Sequence, residues 1–126
     1  VNILFYLVTI SGIIHPAPIF WSINPEQKFR DRQGKEISLE KWNELNGQKE
    51  YASIKQEIFE GFFISTVWLG IVEDGYYFET VAFKNDKPEI QFLYLNEQDA
   101  LRGHEQIKLG IKQLNQGINV IFQGNE

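Results

Sequence analysis

His15 and His104 are the only imidazoles in this 126-residue chain, and it has no cysteine. Proton-transfer or metal chemistry would therefore have to be assembled from these two rings, carboxylates and hydroxyls. The histidines lie far apart with no ligand spacing, so no metal site is expected. Ser65 or Thr66, His104 and Glu79 could be cast as nucleophile, base and orienting carboxylate. No G-x-S-x-G elbow or comparable strained turn presents the hydroxyl, however. A single histidine on an apolar helix face is more often a hydrogen-bonded core residue than a catalyst. Glu79 is the second candidate, because it sits in a mostly apolar run. A buried carboxylate must be paired or functional, so a partner such as Arg102, His104 or a bound ligand is expected beside it, a structural ion pair first. Glu73 and Asp74 belong to a solvated turn tip. No phosphate loop, dinucleotide fingerprint, zinc spacing or basic aromatic stripe occurs, and no cofactor is expected.

These residues depend on the stretch from Ile64 to Phe83, ISTVWLGIVEDGYYFETVAF. It is two β-branched and aromatic runs around Glu73-Asp74-Gly75, which reads as a β-hairpin. With Asp74 and Gly75 as a two-residue type I′ loop, Glu73 faces Tyr76. Counting back, one face carries Thr66 opposite Phe83, Trp68 opposite Val81 and Gly70 opposite Glu79. The other carries Val67 opposite Ala82, Leu69 opposite Thr80 and Ile71 opposite Phe78. Neither face is polar, so both must be covered by a helix, by another part of the chain or by a partner.

The rest of the chain frames that hairpin in a single domain. Residues 1–26 form an apolar arm, with Ile3 to Ile10 read as a buried strand or a cover for one hairpin face, followed by a Pro-rich connection over His15 to Pro18. Its prolines arrive too early for a span of about 20 apolar residues, and it lacks the basic start and cleavage site of a secretory signal. Residues 27–50 hold a turn at Asp31 to Gly34 and a short helix. In that helix Ser38 caps, Ile37 and Trp42 form a staple, Gly47 ends the run, and Leu39, Trp42 and Leu45 make one stripe. Residues 51–95 form a four-stranded antiparallel meander, with returns at Glu60-Gly61 and Asn85 to Lys87, and with Pro88 at a strand start or edge. Residues 96–117 form the strongest helix, capped by Asn96 and stopped by Gly117. Ala100, Leu101, His104, Ile107, Lys108, Ile111 and Leu114 lie along its buried stripe, and Gly103 and Gly110 allow close approach to the sheet. Residues 118–126 are a final strand, Ile118 to Phe122, and a tail. The fold class is thus α+β: a four-stranded meander with one long helix on a face, a short helix and an apolar N-terminal strand or arm.

The net charge of −5 disfavours nucleic-acid binding, which draws its affinity from clustered Lys and Arg. The absence of cysteine fits a reducing cytoplasm, and no membrane association is expected.

Four blocks in order, DRQGKEISLEKW (Asp31 to Trp42), ISTVWLGI (Ile64 to Ile71), YFETVAF (Tyr77 to Phe83) and EQDALRGHEQI (Glu97 to Ile107), carry a resemblance. The stretch from about Phe29 to Leu114 resembles a family of small bacteriophage and prophage proteins without an established activity; Val1 to Ile23 lies outside it. The resemblance implies a mobile-element origin and cytoplasmic action in a host cell. With no catalytic motif, the expectation is a non-enzymatic accessory protein that binds and blocks a host protein, such as an anti-defence inhibitor of a CRISPR effector. Trp68, Glu79, Phe83 and Thr66 are its expected binding face, and a homodimer through the arm or the sheet face is a further possibility. The alternatives are a binder of a small molecule or nucleotide messenger at that face, and a small hydrolase using Glu79 and His104.

Overall fold

The computed structural model describes residues 28–73 and 75–122. The N-terminal arm, Asp74 and the last four residues lie outside the described residues. Nine elements follow in order: β1 (Lys28–Arg30), β2 (Glu36–Ile37), α1 (Leu39–Asn46), α2 (Lys49–Ala52), β3 (Ser53–Phe59), β4 (Phe62–Glu73), β5 (Tyr76–Lys84), β6 (Lys87–Tyr94) and α3 (Glu97–Asn115). The architecture is α+β, as expected. The antiparallel sheet, however, has six strands rather than four, in the order β2-β1-β4-β5-β6 with β3 also paired to β4.

The two added strands arise from the Asp31 to Gly34 turn. The Asp31 carboxylate accepts from the backbone N–H groups of Gln33 and Lys35, and Gly34 takes a positive φ of 88°. This folds β1 onto β2. β1 then pairs with the far end of β4, Phe29 against Ile71 and Lys28 against Val72, on the edge that β3 occupies further back.

At the hairpin, Glu73 faces Tyr76 as the turn chemistry predicts, but Trp68 faces Phe78, Thr66 faces Thr80 and Ile64 faces Ala82. Five residue steps on β4 therefore oppose two on β5, a surplus of three. An odd surplus exchanges faces, because side chains alternate with period two. The expected pairs of Thr66 with Phe83 and Trp68 with Val81 are accordingly replaced. The pivot is Gly70, at φ 75°, over which the rings of Trp42 and Trp68 close so tightly that any Cβ there would overlap them. The Trp42 indole fastens the bulge by donating to the Leu69 carbonyl at 2.9 Å. Bulges re-aim side chains in this way.

One face of the sheet is covered by helices. Trp42 and Leu45 of α1, Ala52 of α2 and Ala100 of α3 pack with Phe29, Trp68, Phe78 and Tyr94. Ile107 and Ile111 of α3 pack with Phe62, Ile64 and Ala82. The opposite face holds a smaller cluster of Val81 and Phe83 with Phe63.

Both expected caps form: Ser38 accepts from the Lys41 N–H and Asn96 from the Asp99 N–H. Gly103 gives the expected close approach to the sheet, since a side chain there would meet the Tyr94 phenol of β6, whereas Gly110 is met by the Phe122 ring from the chain after α3 rather than by the sheet. Four other expectations change. Leu39, Leu101 and Leu114 are exposed rather than buried. Gly47 ends α1 at φ −77° without the left-handed conformation. Lys49–Ala52 is a helical turn, so β3 starts at Ser53. Residues 118–122 form no strand; they follow Gly117, at φ 83°, without regular structure, and the Phe122 ring packs at Gly110.

Candidate functional site

The polar side chains of the helix-covered face converge on His104. The α3 stripe turns its ring down onto the sheet, between Ala100 and Ile107. Because Thr66 and Thr80 are direct cross-strand partners, their hydroxyls meet at 2.7 Å. Thr66 Oγ1 also lies 2.7 Å from His104 Nδ1, and His104 Nε2 lies 2.8 Å from Glu57 Oε1 on β3. Thr66, Thr80 and His104 have no solvent exposure, whereas the Glu57 carboxylate reaches the surface. There Lys108 approaches it at 3.2 Å and Lys55 at 3.9 Å, and both ammonium groups also pair with Glu105.

The ionisation of these groups follows their surroundings. Burial holds the His104 imidazole below its ordinary value, against the opposing pull of Glu57. The Glu57 carboxyl is lowered, first by its hydrogen bond to His104 and then by Lys108. Lys55 lowers Glu105, and Glu57 raises Lys108.

Glu57, His104 and Glu105 place possible ligand atoms within 4.8 Å of one another. The Lys55 and Lys108 ammonium groups already neutralise both carboxylates and would repel a cation, so the group is an ionic cluster. Thr66, His104 and Glu57 are also the hydroxyl, base and carboxylate of a nucleophilic triad. That hydroxyl is buried between two strands and the helix, out of reach of any substrate.

Glu79 is not part of this set. It faces Val67 and so projects from the other side of the sheet, which separates it from His104 and corrects the expected pairing. Its expected partner Arg102 instead pairs with Asp99 on the helix surface. Glu79 is fully buried. Its Oε2 accepts from the Gln91 amide at 2.7 Å, while Oε1 has no hydrogen-bond partner among the described residues. Burial pushes its carboxyl up to about 8, and the Gln91 hydrogen bond offsets only part of the rise.

The expected binding face is thus divided. Trp68 and Thr66 lie under the helices, with the Trp68 indole donating to the Arg30 carbonyl at 2.9 Å and standing edge-on to Tyr51. Glu79 and Phe83 belong to the opposite face, where Phe83 packs near Phe63. Ser65 lies on that face too, and its hydroxyl accepts from Gln56. Sequence reasoning missed Glu57 and Thr80. The alternation along residues 51–59 does group Glu57 with Lys55, but it reads as a solvated side and carries no sign of the helix that closes over it.

Exposed apolar surface gathers along α3 and the chain after it. Leu109 is 57% exposed, and Ile121 84%. Between α3, β6 and residues 120–122 runs a cleft of about 190 Å³, lined by Phe92, Tyr94, Ile107, Leu109, Val120 and Phe122 among others. Among the described residues, no helix is long and apolar enough to cross a membrane.

No family model, curated protein sequence or solved structure matches the chain.

Proposed function

We propose that this chain is a non-enzymatic binding module that acts stoichiometrically on a protein partner. The observation that carries this reading is the burial of the triad-like constellation found among the described residues: Thr66 and His104 have no exposure. Chemistry that cannot meet a substrate contributes to the fold, and function is left to the surface. Exposed Leu109 and Ile121, beside the cleft along α3, offer apolar contact of the kind that docks a protein. The cleft, at about 190 Å³, is smaller than the roughly 300 to 1,000 Å³ of small-molecule sites. The resemblance to phage and prophage proteins makes a host protein the class of partner, with a defence effector such as a CRISPR nuclease the first to assay.

The test is capture of the partner from expressing cells, followed by titration of the purified pair. The expected result is inhibition that saturates near one-to-one and is lost in a folded Leu109→Glu, Ile121→Glu double variant. Complete inactivation of the partner by trace protein, abolished in a folded Thr66→Val variant, would overturn the reading in favour of an enzyme.

A further inference from the structure

The hydrogen-bond chain from Thr80 through Thr66 and His104 to Glu57 has two self-consistent directions. With His104 neutral and Nε2 protonated, Nε2–H donates to Glu57. Nδ1 then accepts from the Thr66 hydroxyl, and Thr66 accepts from Thr80. With His104 protonated, Nδ1–H donates to Thr66, which turns its own hydroxyl toward Thr80. Thr80 in turn is free to rotate toward the Tyr94 phenol beside it. Each hydroxyl carries one rotatable proton and accepting lone pairs, so it can serve either arrangement. A buried histidine without such relays would leave a donor or an acceptor unpaired in one of its two states.

We propose that this chain is a proton-operated relay, in which His104 takes up one proton inside the core by reversing both threonine hydrogen bonds and turning its contact with Glu57 into an ion pair. The net change is one proton gained from solvent and held on Nδ1, with no bond lost along the chain. The groups that face the ring are Glu57 and Lys55 from β3, Thr66 from β4, Thr80 from β5, and Glu105 and Lys108 from α3. The positive and negative charges of the outer cluster balance, so the reversible element is the hydroxyl pair. Its far end meets Tyr94, which fills the Gly103 notch and lines the cleft. The ionisation state at the β3–α3 surface is thereby linked to a residue of the exposed cleft.

The test is nitrogen-15 NMR of the imidazole as a function of pH, in a His15→Gln background that leaves His104 as the single histidine. The expected spectrum at alkaline pH is the tautomer protonated on Nε2, with both nitrogens protonated on acidification. Thr80→Val removes the acceptor that the reversed chain needs. It should lower the His104 midpoint by about one to two pH units and leave the alkaline tautomer unchanged, while Thr80→Ser restores the parental midpoint. An alkaline tautomer protonated on Nδ1 would overturn the proposal without recourse to any variant. So would a Thr80→Val midpoint equal to that of Thr80→Ser.

Discussion

His104 and Glu79 are both ionisable side chains with no solvent exposure, and they sit on opposite faces of the same sheet. On the helix-covered face, one hydroxyl and one carboxylate satisfy the two ring nitrogens of His104. On the other face Glu79 receives one amide, and its second oxygen receives no hydrogen bond from the described residues. The first group is accommodated by partners supplied from β3 and β4; the second is accommodated by holding its proton. Removing a charge costs less than burying it unpaired, and the two faces show both ways of avoiding that cost.

The largest effect should come from the helix-covered face. Trp68→Ala removes a buried indole, its bond to Arg30 and the lid over Gly70, and should cost about 3 to 5 kcal/mol in denaturant unfolding. Thr66→Val keeps the volume but leaves His104 Nδ1 without a partner, and should cost about 1 to 3 kcal/mol. A neutral result there would put the two faces on the same footing.

Glu79→Gln should have the opposite sign. The Glu79 carboxyl ionises near 8 in the folded chain against an ordinary value of 4.5. Between those values the folded state keeps a proton that the unfolded state has released, so stability falls as pH rises through the window. His104 works the other way. Its lowered value means that stability is lost as pH falls below about 6.5. From about pH 6.5 to 8 the Glu79 contribution therefore stands clear, with a slope approaching about 1.4 kcal/mol per pH unit. Unfolding measured across that range should show the decline in the parent and none in Glu79→Gln. The smallest effect should be at Ile58, 81% exposed on β3, where Ile58→Thr should change stability by under about 0.5 kcal/mol.

The division between the faces was only partly legible in the sequence. The caps at Ser38 and Asn96, the tight returns and the tip pairing of Glu73 with Tyr76 follow from local chemistry, and all of them form. The burial of His104 follows from helical spacing alone. What failed was the propagation of register past Gly70. A glycine within a strand is a bulge signal, but the number of residues it absorbs depends on Trp42, an indole from a distant helix that closes over it. Because that number is odd, Glu79 and Thr80 exchanged faces, and the carboxylate beside His104 became Glu57. Glu57 and His104 are 47 residues apart, and no local pattern joins them. β1 and β2, at three and two residues, are too short for periodicity to register, although the turn between them is plain.

The contrast between the faces rests most directly on the state of one carboxyl, and carbon-13 NMR of the Glu79 side chain from pH 3 to 10 reads that state. The resonance is predicted to stay flat through the ordinary carboxylate range and to titrate near pH 8, while the Glu57 carboxyl titrates below its ordinary value. A Glu79 midpoint near 4.5 in the folded protein would contradict it, and would mean that the second face, like the first, supplies its buried charge with partners.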